Sequence, residues 1–438
     1  MGTTTELVLD ERLSKLIGDW IEEDTTTNIG AGTSVISTAL KKWDYGSDDY
    51  FNDWWIYITE SNNLGVERRI SDYATATGTI TVQGANLTAE TGTVTFRVYR
   101  YSWNNKLRAL NDAIRELYPE LHRPIDNREL ITGNILPPFN WTSSSALQFY
   151  TTSSITLAKT TTSGLFWNGH SSAKATAGAG NGYITLKSDN YTRLLDAMGA
   201  GVTGKVWANP ETADDAAIVI YTKKADGTTQ TLTSTTSNPA AEFSLLEKED
   251  QTLNDDLVEV EVRLKITTDA KYVYFSPPRL IGIDVYEYLL PYDLQTGHVS
   301  QVYIQTEGYS EDICDDLLPT RWDRAFGYEI IDDGTYKWLR LPNLYVAPRQ
   351  IRLIGDTHFE IMDDQADTIS TSDERKLNLL LAYSAFCLFR MEEGVPSPQD
   401  IRRVETNVAK WYAYYKRLST GQRMMRPSQT MNIAGWKD

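Results

Sequence analysis

The stretch Val258–Ile266 reads VEVEVRLKI, with apolar and charged residues alternating along its whole length. Because successive side chains of a strand point to opposite faces, this pattern predicts a β-strand with one face in a core and the other in water. Residues 139–285 around it are rich in Ser, Thr, Gly and Ala and contain further short strand patterns. Ala225-Asp226-Gly227 predicts a hairpin turn between two of those strands. We therefore expect residues 139–285 to form a two-sheet β-sandwich of the jelly-roll type.

Residues 1–138 combine helical patterns at both ends with strand patterns in the middle. Leu9, Leu13 and Ile17 recur at helical spacing near the start. A second helix is predicted from Ser102, whose hydroxyl can cap it, to Pro119, which cannot continue it. The strand patterns between the helices are Trp54–Thr59, Arg68–Tyr73, Thr79–Val82 and Val94–Tyr101. This segment is expected to be a small β module flanked by two helices.

Residues 286–438 begin with aromatic strand patterns and end with two helical patterns. The first helix is predicted to begin at a capping box, Thr371–Glu374, and to end at Gly394. The second begins near Pro398 and ends before Gly421. Their apolar faces are expected to pack as an antiparallel helical hairpin, followed by an extended tail. The three segments together predict an α+β multidomain protein.

The chain of 438 residues carries a formal net charge of −17. A surface this acidic disfavours the wrapping of nucleic acid, whereas it suits a wall past which DNA slides without sticking. No stretch reaches the roughly 18 apolar residues that span a bilayer. The N-terminus shows no secretory signal pattern. We expect a protein made in a cytoplasm, without a membrane partner.

Residues suited to metal binding or redox chemistry are few. Two cysteines, Cys314 and Cys387, and four histidines do not make a disulfide framework or a zinc ribbon. Cys387 is expected to be a buried free thiol on a helix. A structural calcium ion is an alternative, with Asn254–Asp256 or Asp284 as ligands. Otherwise the sequence predicts no metal and no cofactor.

The sequence also lacks the local motifs of common enzymes. It contains no nucleophile elbow, zinc-protease motif, Walker A loop or dinucleotide fingerprint. A glycosidase would need two carboxylates on opposite sides of a sugar cleft. The candidates for such a pair are Asp214, Asp215, Asp255, Asp256 and Glu259. Because sequence places no two of them across a cleft, we expect that the protein is not an enzyme.

Motifs of the central segment resemble the jelly roll of carbohydrate-binding modules. They are Trp141, the glycine-rich Gly178–Gly182, LDAMGAGVTGKVWAN at 195–209 and VYFSPPRLIGI at 273–283. The resemblance covers about residues 139–283 and implies a fold that can bind sugars with exposed aromatic rings. Trp167 is expected to be exposed for such stacking, whereas Trp207 is expected in the core.

Motifs of the outer segments resemble the head–tail connector (neck or adaptor) proteins of tailed phages. They are ERLSKLIGDWI at 11–21, GVERRISDYATATGTITV at 65–82, WNNKLRALNDAIREL at 103–117, LNLLLAYSAFCLFR at 377–390 and RMMRPSQT at 423–430. The resemblance covers about residues 9–121 and 286–438. It implies a virion protein, assembled in the host cytoplasm, whose copies form a ring between portal and tail. The genome would pass through this ring, and the sandwich would be an insertion that faces outward.

The last forty residues reverse the charge of the chain, with eight basic and three acidic side chains from Gln399 to Asp438. A basic end on an acidic protein is typical of a docking surface, here for the portal or a neighbouring ring protein; a solvated helix face and frayed tail explain it equally well. The candidate interface residues are Arg402, Arg403, Tyr414, Arg417, Arg423 and Arg426.

The alternative function is a tail-tip, fibre-base or decoration protein that binds host-surface glycans through the sandwich.

Overall fold

The computed structural model describes residues 2–26, 28–30, 32–167, 171–178, 181–234, 238–306, 322–345, 348–364, 367–392 and 401–423. The chain divides into two compact units. Unit 1 is built from both ends, Met1–Arg123 and His358–Asp438, and unit 2 is the intervening Pro124–Thr357. This differs from the expected consecutive segments 1–138, 139–285 and 286–438. The strands between residues 287 and 357 share a core with the sandwich, whereas the C-terminal helices pack with the N-terminal ones.

The described residues of the N-terminal part of unit 1 form two α-helices and nine strands. In chain order they are β1 (Thr4–Thr5), α1 (Glu6–Ile17), β2 (Ile21–Asp24), β3 (Asn28–Ile29), β4 (Ser34–Ile36), β5 (Trp55–Ile58), β6 (Glu67–Ala74), β7 (Thr79–Val82), β8 (Glu90–Thr91), β9 (Thr95–Tyr99) and α2 (Trp103–Glu116). Strands β2-β9-β5-β6-β7-β4-β3-β8 form one sheet in that order. The predicted cap of the second helix is confirmed, because Ser102 Oγ accepts a hydrogen bond from the Asn105 backbone at 3.2 Å.

The sandwich forms most of unit 2. Its strands and their immediate neighbours are β10 (Arg123–Ile131), β11 (Trp141–Ser143), β12 (Ala146–Leu147), β13 (Tyr150–Ser153), β14 (Ile155–Thr160), β15 (Ser172–Ala177), β16 (Gly182–Lys187), β17 (Gly201–Pro210), β18 (Ala216–Lys224), β19 (Thr229–Thr233), β20 (Ser244–Thr252), β21 (Leu257–Ile266), β22 (Tyr272–Phe275) and β23 (Arg279–Ile281). One sheet has the order β13-β16-β21-β18-β19, and the facing one β14-β15-β22-β17-β20 with β23 on β17. The alternating stretch Val258–Ile266 lies in β21, the middle strand of the first sheet, with Val260, Val262 and Leu264 in the core.

The remaining elements complete unit 2 and return the chain to unit 1. They are β24 (Glu287–Leu289), α3 (Tyr292–Gln295), β25 (His298–Gln305), β26 (Trp322–Arg324), β27 (Glu329–Asp332), β28 (Lys337–Arg340), β29 (Gln350–Thr357), β30 (Thr368–Ile369), α4 (Glu374–Glu392) and α5 (Ile401–Arg423). Two small sheets, β10-β29-β25-β26 and β24-β28-β27, belong to unit 2. Strand β30 pairs with β1 through Thr4 opposite Ile369, so both ends of the chain close unit 1.

Helices α4 and α5 form the predicted antiparallel pair. Tyr383 contacts Tyr415 at 4.7 Å between ring centres and Phe386 contacts Tyr412 at 5.3 Å, so the residue numbers run in opposite directions. Cys387 is buried as expected, and burial raises the pKa of its thiol to about 12. The second cysteine, Cys314, and the tail beyond residue 423 lie outside the described residues.

The predicted capping box at the start of α4 is wrong. Asp373 caps the helix instead, because its carboxylate accepts a hydrogen bond from the Arg375 backbone at 2.9 Å. Glu374 forms an ion pair with Arg12 at 2.9 Å, and Thr371 Oγ1 accepts from the Asp373 backbone at 3.2 Å. An acidic side chain next to the first turn suits the positive end of the helix dipole.

A buried ionic cluster joins α1, α2 and β9. Lys106 is fully buried, and its Nζ lies 2.7 Å from Asp10 Oδ1 and 2.9 Å from Ser14 Oγ. The hydroxyl of Tyr99 donates to Asp10 at 2.7 Å, and the Lys106 ammonium lies 3.1 Å from the centre of the Tyr99 ring. Arg97 approaches Asp10 to 3.7 Å. These buried charges compensate one another for the loss of contact with water. Removal of one of them would leave its partner as an uncompensated buried charge, which is destabilising.

Glu6 at the edge of this cluster makes the stability of unit 1 depend on pH. Burial and the negative charge of Asp10 raise the pKa of Glu6 to about 8, although Trp103 Nε1 donates to its carboxylate at 2.9 Å. Between pH about 4.5 and 8 the folded chain holds a proton that the unfolded chain has released. Raising the pH through this window therefore lowers the free energy of unfolding, by up to about 1.4 kcal/mol per pH unit.

Glu6→Gln should remove this dependence, because glutamine keeps an acceptor for Trp103 and does not titrate. Urea unfolding at pH 5, 6 and 7 measures it as the difference in unfolding free energy between the natural chain and the variant. We expect the free energy of unfolding of the natural chain to fall steadily relative to that of the variant as the pH rises. A difference that is constant with pH would show that Glu6 is ionised in the folded state.

The α+β multidomain fold class, with a jelly-roll-like module, is confirmed. Within the described ranges, no helix is long and apolar enough to cross a membrane.

Candidate functional site

The outer surface of the sheet β13-β16-β21-β18-β19 carries a cluster of tyrosines and charges. Inward positions of β21 are apolar, so its alternate side chains Glu259, Glu261, Arg263 and Lys265 point outward. The strand pairing places Tyr183 of β16 opposite Lys265, and Lys187 opposite Glu261. On the other side it places Tyr221 of β18 opposite Glu261, and Lys223 opposite Glu259. We call these eight residues the tyrosine–arginine face: Tyr183, Lys187, Tyr221, Lys223, Glu259, Glu261, Arg263 and Lys265.

Arg263 lies at the centre of the tyrosine–arginine face. Its guanidinium lies 4.4 Å from the centre of the Tyr221 ring and 5.9 Å from that of Tyr183. Diagonal neighbours on a sheet are within reach of long and aromatic side chains, which is how one arginine contacts tyrosines on both flanking strands. The two tyrosines and Arg263 are each partly accessible to solvent. The face thus offers aromatic rings beside hydrogen-bond donors.

Glu261 holds the Arg263 side chain in place through an ion pair. It is almost fully buried and accepts from both Lys187, at 2.8 Å, and Arg263. Burial alone would raise the pKa of Glu261, but hydrogen bonds from Lys187, Arg263 and Glu259 together lower it. The pKa of Glu259 is raised, because only its protonated form can donate a hydrogen bond to Glu261. The tyrosine–arginine face carries four cationic side chains and two carboxylates. It is therefore basic, although the net charge of the chain is −17.

The outer surface of the opposite sheet carries the predicted stacking residue, Trp167. Its ring stacks on Trp207 with 4.2 Å between ring centres, and Phe243 lies 6.0 Å away. The expectation that Trp207 lies in the core is wrong. Val206 and Ala208 take the inward positions of β17, so Trp207 points outward and is partly exposed. Because one side of the Trp167 ring is covered by Trp207, a sugar could stack only on its other side.

A cleft of about 570 Å³ opens elsewhere in unit 2. Glu287 lies at its wall between Arg193 and Arg340, and hydrogen bonds from these two arginines, Arg193 foremost, lower the pKa of Glu287. The Arg193 guanidinium also lies 4.1 Å from the Trp338 ring centre. Asp284, a calcium candidate, lines this cleft. The two arginines and the glutamate pair with one another in the wall of this cleft.

The other acidic candidates act in local structure. Asp215 is buried and accepts from the Thr267 and Thr268 backbones at 3.0 and 2.6 Å. Asp214 accepts from the Asn238 backbone at 3.1 Å, and Asp256 pairs with Lys224 at 3.1 Å. Among the described residues, no group of three or more His, Cys, Asp or Glu side chains is close enough to hold a metal ion.

The predicted interface residues lie on α5 or beyond it. Arg402, Arg403 and Arg417 are exposed on the helix. Tyr414 is half-buried, with its ring 5.8 Å from that of Trp411, and Tyr412, expected in the apolar stripe, is 40% exposed. The side chain of Arg423 and all of Arg426 lie outside the described part of the chain.

Sequence reasoning missed the tyrosine–arginine face, although the alternation in Val258–Ile266 already places Glu259, Glu261 and Arg263 on one side. Tyr183 and Tyr221 join them only through the register of β16 and β18 on β21. Register between strands that lie far apart in sequence is not encoded in any single segment.

No protein-family model and no curated protein matches the chain. Solved structures similar to part of it include the enzymatically active domain of tailspike protein 4 of bacteriophage CBA120, at 11% identity and a TM-score of 0.25 over 33% of this chain and 22% of that one. A xylan-binding domain of carbohydrate-binding module family 22 matches at 12% identity and 0.27, over 34% and 96%. The family 61 module TmCBM61, solved with β-1,4-galactotriose, matches at 12% and 0.24, over 34% and 98%. The chain thus covers about a fifth of the tailspike domain. At such identities and TM-scores, no ligand or activity is carried over from these structures to this chain.

Proposed function

We propose that this chain is a structural protein of a tailed-phage virion, a ring-forming component of the head–tail connector that links portal and tail around the DNA passage. The observation that carries the proposal is the closure of unit 1 by both ends of the chain, with β1 on β30 and α4 packed on α1 and α2. The segments that resemble connector proteins at about 9–121 and in the C-terminal helices meet in this unit. Unit 2 is thereby an insertion, which agrees with an accessory module on an assembly domain.

The proposal includes a role without catalysis. Three of the carboxylates that sequence offered for a glycosidase have local structural roles: Asp214 and Asp215 accept from backbone groups, and Asp256 forms an ion pair. Glu259 and Glu261 lie close enough for a hydrogen bond between their carboxyl groups when one of them is protonated, whereas glycosidase carboxyl groups are separated by about 5 Å or more. Within the proposal, the chain acts as an assembly protein that is located in the virion.

Electron microscopy of the purified full chain tests the connector proposal. We expect closed rings with one subunit number, because copies that meet through two different surfaces form a ring when the rotation between neighbours closes. Sedimentation velocity at several protein concentrations should show a single large species beside the monomer. Elongated trimers would point to a fibre or tail tip instead, and a monomer at every concentration would contradict ring formation.

A second function is favoured by the tyrosine–arginine face: we propose that the sandwich binds a host-surface glycan there. Sugar sites combine aromatic rings, which pack on the apolar side of the sugar, with polar groups that bind its hydroxyls. Tyr183 and Tyr221 supply the rings, and Lys187 and Arg263 the donors. Connector and glycan-binding roles are compatible, since the former belongs to unit 1 and the latter to unit 2.

A further inference from the structure

We propose that the outward face of α5 binds a second copy of this chain at the segment 43–53 of unit 1. The proposal rests on the ring-forming function and names the two surfaces that meet in it. One surface is a basic helix face and the other an acidic, aromatic turn region, and both belong to unit 1.

The basic helix face runs along most of α5. We define it by five exposed cations: Arg402, Arg403, Lys410, Lys416 and Arg417. The described part of α5 contains a single carboxylate, Glu405. Between the first and the last of them the helix rises about 22 Å, at about 1.5 Å per residue. On a chain with a net charge of −17, such a face is attracted to the surface of another copy.

Aromatic rings lie between these cations. Tyr412 is 40% exposed, and Lys416 Nζ lies 4.8 Å from its ring centre. The Arg417 guanidinium lies 5.0 Å from the ring of Tyr414. Arginine and tyrosine are the residue types enriched where binding energy concentrates in protein interfaces. The composition of the face therefore fits a protein partner that brings carboxylates and aromatic rings of its own.

The segment 43–53 of another copy supplies both. Tyr45 is 87% exposed and Trp43 42% exposed, and Asp48, Asp49 and Asp53 of the same segment are exposed. Asp53 forms an ion pair with Arg69 at 2.8 Å, so Asp48 and Asp49 are the carboxylates offered to the partner. We call this segment the acidic turn.

The acidic turn is held in place by a buried carboxylate. Asp44 accepts hydrogen bonds from the Thr75 hydroxyl and, both at 2.7 Å, from the Tyr73 hydroxyl and the Gly46 backbone. Burial raises the pKa of Asp44, but these hydrogen bonds, that of Thr75 foremost, lower it overall. The exposed Tyr45 ring rests against Tyr50 at 5.8 Å. Because the turn is already shaped in the single copy, less ordering is needed when it binds.

The two surfaces belong to different layers of unit 1. The acidic turn joins β4 to β5 and is bonded to β6 through Asp49 and Asp53, whose backbone N–H groups donate to Tyr73 and Ile70. Helix α5 packs on α4, which in turn packs on α1 and α2. An interface between two different patches of one unit is heterologous, so each copy uses its acidic turn on one neighbour and its α5 on the other. Such contacts close into a ring when the rotation permits.

Charge exchange in the full chain tests this pairing. Lys416→Glu with Arg417→Glu should weaken self-association at least tenfold at low salt, as measured by sedimentation velocity. Asp48→Lys with Asp49→Asn should weaken it similarly; asparagine is chosen because Asp49 has a φ of 63°, which asparagine tolerates. The four substitutions combined should restore association to within a few-fold of the natural chain. Lys159→Glu with Lys248→Glu in unit 2 is the matched control and should change nothing.

Far-ultraviolet circular dichroism and thermal melting establish that each variant is folded. If the natural chain forms rings and the α5 variant forms them equally well, the interface is wrong while the ring proposal stands. If the natural chain remains a monomer at every salt and protein concentration, both proposals fail. An α5 variant that keeps its rings but is lost from virions would assign the basic helix face to another virion protein.

Discussion

Lys106→Met is expected to destabilise unit 1 by about 3 kcal/mol or more. Lys106 is fully buried between Asp10, Ser14 and the Tyr99 ring. Methionine fills a similar volume but leaves the buried Asp10 carboxylate with only Tyr99 and a more distant Arg97. Removing one partner of a buried ion pair costs about 3–5 kcal/mol, because the remaining charge stays out of water without compensation. Urea unfolding together with amide hydrogen exchange in α2 measures the loss.

Two further variants separate this effect from lost packing. Asp10→Asn combined with Lys106→Met removes both charges, so it should recover at least half of the lost stability. Lys15→Met breaks the exposed pair with Glu11, in which Lys15 is 53% exposed, and should cost less than about 1 kcal/mol. If the double variant loses as much stability as the single variants Asp10→Asn and Lys106→Met lose in sum, the cluster contributes through packing and not through charge.

The same cluster shows what sequence could and could not predict. The helical spacing around α2 and its Ser102 cap are local, so the helix was predicted nearly to the residue. A lysine in that pattern would be expected to be solvated, because its burial depends on Asp10 and Ser14 of α1, about 90 residues earlier in the chain. Likewise, nothing local announces that Thr4 pairs with Ile369, which is why consecutive segments were expected in place of a unit closed by both ends.

The sandwich shows the same division between local and distant information. Alternation predicted β21, and Ala225-Asp226-Gly227 predicted the β18–β19 hairpin, which pairs Val219 with Thr233. The error at Trp207 was avoidable, since Val206 and Ala208 as inward residues leave Trp207 outward. The meeting of Tyr183 and Tyr221 on Arg263 was not, because it needs the register of three strands.

Tyr183→Ala combined with Tyr221→Ala is expected to reduce glycan binding by the full chain about 10- to 100-fold, because each ring contributes on the order of 1 kcal/mol of stacking. Affinity electrophoresis in gels that contain purified host-surface polysaccharide, or panels of acidic and neutral polysaccharides, measures the retardation. The cations of the tyrosine–arginine face exceed its carboxylates, so acidic polysaccharides should retard the natural chain more than neutral ones. Added salt should reduce that difference, since exposed charges are screened.

The matched variants decide which surface of the sandwich binds. Tyr183→Phe with Tyr221→Phe keeps the rings and should retain most of the binding, whereas Trp167→Ala alters the opposite sheet and should leave it unchanged. Substitution of Arg263 is unsuitable as a first test, because it would leave the buried Glu261 with Lys187 as its remaining cation and could unfold the strand pair. Loss of binding in Trp167→Ala with full binding in the tyrosine variant would move the site to the tryptophan pair. Retardation by no polysaccharide at all would leave unit 2 without a sugar-binding role and unit 1 as the working part of the chain.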